Sequence, residues 1–198
     1  MVQAEDSEVT KAMKEYNVIP DVLTESVSEL LKVTFEQNIT VNLGNEITPY
    51  QTRNQPMLDW NADENSFYTV LCVDPDAPGP DDPFNALLNT WLVGNIPGKD
   101  VKSGDVLFEY IASATPKGVG SNRYVILVYK QPSGKINFTE KRIDKFHFEG
   151  REKFPLQEFT TKYGLGCPVA GNFYRTFFDL YTLYIYGQVQ CCFELNKF

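Results

Sequence analysis

The chain of 198 residues has a single histidine, His147. A metal centre built on several imidazoles is therefore excluded. Any Ser-His-Asp or Cys-His arrangement would have to run through His147, in the segment Lys145-Phe146-His147-Phe148-Glu149-Gly150. No Gly-x-Ser-x-Gly elbow accompanies it, so a hydrolase centred there lacks its strand-to-helix nucleophile. Cysteines are few as well: Cys72, Cys167, Cys191 and Cys192, with no Cys-x-x-Cys pair. That spacing predicts free thiols rather than a disulfide framework. No apolar run reaches the ~20 residues of a membrane-spanning helix. The start, Met1 to Asp6, lacks a basic segment followed by an apolar one. These absences together predict a cytoplasmic protein with no stable membrane insertion. The sequons Asn38-Ile39-Thr40 and Asn137-Phe138-Thr139 would matter only in a secreted protein. Positive charge is in deficit, 18 Lys and Arg against 26 Asp and Glu, for a net charge of −8. That argues against a nucleic-acid partner and against docking on anionic membranes. Gly118-Val119-Gly120 lacks the Gly-Lys-Ser/Thr of a phosphate loop and leads into a strand. No cofactor and no metal site is read.

Aromatic residues, by contrast, are plentiful: 14% of the chain, with 11 Tyr and 14 Phe, which suits a mainly β protein. Val9, Ala12, Met13 and Tyr16 recur at helical spacing behind Ser7, a candidate N-cap. Strands are predicted at Leu30 to Phe35, Ile39 to Leu43, Tyr68 to Val73, Trp91 to Val93, Val106 to Ile111 and Val169 to Phe178. The strongest pattern runs from Arg123 to Tyr129, with a hairpin expected to return over Ile136-Asn137-Phe138. Pro155 to Tyr163 reads as a helix with Gly164 past its end. Tyr181 to Gln190 shows no decisive period. With turn signals between strands and no linker, the expectation is one domain over residues 1–198, residues 1–25 forming an N-terminal extension with a short helix.

The most informative stretch is Asp74-Pro75-Asp76-Ala77-Pro78, at the end of a continuous apolar strand. Each proline restricts its own φ and the residue before it, so two carboxylates sit on a rigid turn at a sheet edge. Alternate residues of an extended segment face opposite sides, which argues against a matched acid–base pair.

Four stretches agree with one pattern: Asp74 to Pro78, then Trp91-Leu92-Val93-Gly94-Asn95-Ile96-Pro97-Gly98, then Pro116 to Gly120 running into Arg123 to Tyr129, then Pro168-Val169-Ala170-Gly171-Asn172-Phe173-Tyr174. Their order and spacing resemble the phosphatidylethanolamine-binding protein (PEBP) family, from about Trp60 to Tyr186. The resemblance implies a large central β-sheet, a smaller antiparallel sheet and peripheral helices. It implies a non-enzymatic, monomeric binding protein with a small pocket for phosphate-type anions and phospholipid headgroups. It places that pocket at Asp74, Pro78, Thr90, Ala114, Asn122, Tyr124 and Tyr186. Family members also inhibit kinases or proteases or act as signalling scaffolds, so a kinase or protease is implied as a second partner class. The acidic loop Gly79-Pro80-Asp81-Asp82-Pro83-Phe84 would suit such a surface. Two departures matter. The family usually has a histidine just before the aromatic residue of the Trp91 strand and another just before Arg-Tyr; this chain has Thr90 and Asn122. Both potentially cationic donors are replaced by neutral groups, which predicts weakened phosphate binding.

Overall fold

A computed structural model describes residues 6–195, with side chains as far as Gln188. Helix α1 (Glu8–Glu15) starts at Ser7, whose hydroxyl accepts the Thr10 N–H at 3.2 Å. A short turn, α2 (Val18–Asp21), follows. Nine strands come next: β1 (Glu29–Leu30), β2 (Lys32–Phe35), β3 (Ile39–Thr40), β4 (Met57–Asp59), β5 (Phe67–Asp74), β6 (Leu88–Pro97), β7 (Asp105–Phe108), β8 (Ser121–Lys130) and β9 (Ala170–Phe177). Helix α3 (Leu156–Lys162) precedes β9, and α4 (Leu180–Leu195) follows it.

The large sheet has the order β1-β9-β8-β5-β6-β7, with β1 parallel to β9 and the other pairs antiparallel. The smaller sheet, β3-β2-β4, is antiparallel. The unbroken apolar runs of β5 and β8 follow from burial of both faces. Leu71, Val73, Val125 and Leu127 pack with Val9 and Met13 of α1 and Phe159 of α3. Their alternates Val70, Cys72, Ile126 and Val128 pack with Val33 and Phe35 of the small sheet and with Trp60. A period of two is thus hidden inside a sequence that is apolar at every position.

The expected hairpin over Ile136 to Phe138 does not form, and those residues carry no strand. A buried asparagine replaces the ladder. The Asn95 side chain accepts the Ile136 N–H at 2.8 Å and donates to the Ile136 carbonyl at 2.9 Å. Gln131 Nε2 donates to the same Asn95 Oδ1 at 2.9 Å. The strand expected over Ile39 to Leu43 shortens to Ile39–Thr40, because Leu43 turns to φ +49° and its N–H donates to Asn172 Oδ1. Cys72 is buried and Cys167 exposed, both as free thiols, and the Cys167 thiol donates to Glu25 Oε2 at 2.8 Å. Cys191 and Cys192, also expected as free thiols, lie outside the residues whose side chains are described.

Candidate functional site

Three neighbouring strands of the large sheet build the site at one edge. Asp74 closes β5, Asn122 opens β8, and Thr90 lies on β6. Thr90 sits at a bulge: Cys72 pairs with Trp91 and Val73 with Asn89, so Thr90 is the extra residue. Bulges re-aim side chains at sheet edges, and this one accompanies Thr90 at the cavity wall.

The turn after β5 divides its two carboxylates by partner. Asp74 Oδ1 accepts the Asp76 N–H at 2.8 Å, an Asx turn that the prolines hold in shape. Asp76 then meets Arg123, whose Nε and Nη2 donate to Oδ2 and Oδ1 at 2.9 and 2.6 Å. The Arg123 backbone N–H adds a third bond to Asp76 at 2.8 Å. Arg123 also reaches Asp21 and the Tyr16 carbonyl, tying the N-terminal helices to the turn. Asp76 is therefore a structural ion-pair member, and the two carboxylates make no acid–base dyad. Asp76→Asn should cost about 2 kcal/mol of stability, since it weakens a bidentate charged contact. Chemical denaturation checks this; an unchanged midpoint would contradict the assignment.

Asp74 takes the other direction. It is 2% exposed and faces a cavity of about 230 Å³. The structure gathers all seven sequence-predicted residues, Asp74, Pro78, Thr90, Ala114, Asn122, Tyr124 and Tyr186, around that cavity. It adds Ala77, Asn85, Leu88, Ala112, Phe148 and Glu152, which sequence reasoning missed. Phe148 and Glu152 come from the His147 segment, brought over by Arg151. The Arg151 guanidinium is fully buried and donates to the carbonyls of Asn89, Glu109, Ile143, Asp144 and His147. Nothing in the sequence marks this arginine as such a clamp.

Hydrogen bonding inside the cavity wall is lopsided. Thr90 Oγ1 donates to the Cys72 carbonyl at 3.3 Å. Asn122 Nδ2 donates to Asp74 Oδ2 at 2.9 Å and to the Pro78 carbonyl at 3.4 Å. Tyr186 donates to the Ala114 carbonyl at 2.7 Å, and Tyr124 accepts the Ala114 N–H at 2.9 Å. The donors of Thr90, Asn122 and Tyr186 are therefore engaged by the protein. Asn122 Oδ1, in contrast, is buried without a partner among the described residues. Among the described residues lining the cavity there is no Lys, Arg or His; the charged ones are Asp74 and Glu152. Burial with no cation beside it pushes the Asp74 carboxyl up to about 7, against the hydrogen bonds from Asn122 and the Asp76 N–H. Burial likewise lifts the Tyr124 phenol well above 10 and the Tyr186 phenol to about 12.

His147 lies elsewhere. It is half-buried, bonded to Asp144 at 2.7 Å, and lines a separate surface cavity of about 760 Å³. No Ser, Thr or Cys is among the described residues of that cavity.

With this geometry in hand, the fold and the site define a class. The sequence model of the phosphatidylethanolamine-binding protein family matches residues 33–175. The chain belongs to that family. It is similar to the putative odorant-binding protein A5 of Drosophila melanogaster, 42% identical over 180 residues, 91% of this chain and 85% of that protein. It is also similar to a 26 kDa secreted antigen of Toxocara canis, 38% identical over 159 residues, 80% of this chain but only 60% of the antigen. The fold matches that of the phosphatidylethanolamine-binding protein from Plasmodium vivax, with a TM-score of 0.66 at 17% identity, over 87% of this chain and 98% of the other. One expectation falls here. A cytoplasmic location is contradicted by relatives named as a secreted antigen and an odorant-binding protein, which point outside the cell. Free-thiol spacing does not decide a compartment, because a protein with a core of this size needs no disulfides in either one.

Proposed function

We propose that this protein is a one-domain, non-enzymatic, extracellular binding protein whose Asp74 cavity takes a small ligand and holds phosphate weakly. One observation carries the reading: the cavity wall keeps a buried carboxylate, contains no cation among its described residues, and has turned its Thr90 and Asn122 donors onto protein acceptors. A phosphate there would meet charge repulsion and few free donors, and hydrogen bonds to a charged group are the strong ones it needs. The volume, about 230 Å³, lies below the roughly 300–1,000 Å³ of pockets for drug-sized molecules, so the ligand is small. Native mass spectrometry of protein taken from its own source tests this. The expected result is a stoichiometric small ligand without phosphorus; a bound phospholipid would refute it.

A second reading, a protein-interaction module, rests on the loop at Gly79 to Phe84, where Phe84 is 58% exposed beside exposed Asp81 and Asp82. Phe84→Ser would then abolish partner capture without altering small-ligand affinity.

The extracellular placement has its own test. Both sequon asparagines, Asn38 and Asn137, are exposed. Secreted from insect cells, the chain should carry glycan on at least one of them. Peptide N-glycosidase treatment should lower its mass; an unchanged mass in protein from its natural source would count against secretion.

A further inference from the structure

We propose that the ligand of the Asp74 cavity is a small organic cation, a primary ammonium on an apolar or aromatic body, with Asp74 as its counter-charge. The inference rests on reading the cavity as a ligand site and names the chemistry that the site accepts.

Three observations converge on it. First, Asp74 is buried with no positive partner among the described residues, whereas Asp76 two residues on has Arg123. A buried carboxylate needs compensation, and an incoming cation supplies it. Second, Asn122 Oδ1 is buried and unpartnered on the same wall. It is an acceptor, as are the Asp74 oxygens, so the site offers lone pairs and asks for N–H or O–H groups. An ammonium has three donors and no acceptor. Third, the remaining wall suits the rest of such a molecule. Phe148, Tyr124 and Tyr186 provide rings, and Leu88, Ala112 and Ala114 provide apolar surface. Aromatic faces attract cations, most strongly where water is displaced. Glu152, at the cavity wall, adds negative potential. A neutral alcohol would satisfy the acceptors without balancing the charge, and an anion would do neither.

The groups facing Asp74 are Asp76 on its own turn with Arg123 behind it, Cys72 on β5, Tyr124 on β8, Tyr186 on α4, and Glu152 at the wall. The thiol and both phenols are pushed upward by burial and keep their protons at neutral pH. Asp74 is the group displaced to about 7, so a cation must expel its proton below that pH.

Calorimetric titration with four probes decides the matter: benzylammonium, benzyl alcohol, benzoate and inorganic phosphate. Benzylammonium is expected to bind about tenfold more tightly than the alcohol at pH 8, and more tightly than either anion. Asp74→Asn should erase the preference for the amine over the alcohol. Lowering the pH from 8 to 6 should weaken the amine about tenfold and leave the alcohol unchanged. Tighter binding of the alcohol, benzoate or phosphate would overturn the inference while leaving a ligand site in place. Amine binding that Asp74→Asn leaves unaltered would overturn it too. If none of the four binds and the Asn122 and Tyr124 amide signals stay fixed in nuclear magnetic resonance spectra, the inference and the reading beneath it both fall.

Discussion

The Asp74 carboxyl should remove about 4 kcal/mol of stability as the pH rises from about 4 to about 7, and Asp74→Asn should abolish that loss. In the unfolded chain the carboxyl ionises near its ordinary value of 3.8; in the folded protein burial raises it to about 7. Between those values the folded state holds one proton more than the unfolded state. Stability therefore falls with rising pH across that window, by about 1.4 kcal/mol per unit over roughly three units. Below pH 4 both states are protonated, and above pH 7 the penalty is complete. Asp59, Asp63 and Asp144 act in the opposite sense, because their hydrogen bonds hold them below the usual carboxylate value. The effect is thus read as a difference between the two proteins. The asparagine oxygen can keep accepting the Asp76 N–H, and its amide N–H can donate to Asn122 once that side chain turns its unpartnered Oδ1 toward it. Urea denaturation at pH 4.5 and pH 8 should find Asp74→Asn the more stable protein at the higher pH by several kcal/mol, with little difference at the lower. Parallel stability curves would contradict the buried, uncompensated carboxyl.

The second large effect concerns anions. Thr90→His combined with Asn122→His should raise affinity for inorganic phosphate by roughly a hundredfold at pH 6. Each imidazolium adds a charge-assisted donor worth about 1.5–3 kcal/mol, and each 1.4 kcal/mol is about tenfold. Part of this is offset, since Asn122→His disturbs the contact with Asp74 that Asn122 makes at 2.9 Å. The gain should shrink at pH 8, where imidazole with an ordinary pKa of about 6.5 is neutral. Equal phosphate affinity in the two proteins at pH 6 would show that charge at these positions is not what the site lacks.

Much of this was legible because four segments carry strong local signals. The apolar runs of β5 and β8 announce strands, and the prolines after Asp74 announce the turn. The family pattern carried the seven residues that the structure gathers around one cavity. What escaped depends on distance in sequence. The sequence Gln131-Pro132-Ser133-Gly134-Lys135 is a turn signal that points to a return strand over Ile136 to Phe138. That strand lost its ladder to Asn95, some forty residues earlier. The sequence of helix α4 sets Thr182, Gln188 and Gln190 among apolar residues at no helical spacing, so no amphipathic period marks it. Phe148 and Glu152 reach the cavity because Arg151 is fixed by carbonyls from three separate segments. The protonation of Asp74 belongs to the same group, being set by a wall that only the folded chain assembles.

The central claim, that the Asp74 cavity has lost its hold on phosphate, is tested most directly by titrating inorganic phosphate into the unmodified protein. The backbone amides of Asn122 and Tyr124 would be followed by nuclear magnetic resonance at pH 7. The account predicts no saturable shift below roughly millimolar phosphate. Saturation at micromolar phosphate, abolished by Asp74→Ala, would contradict it.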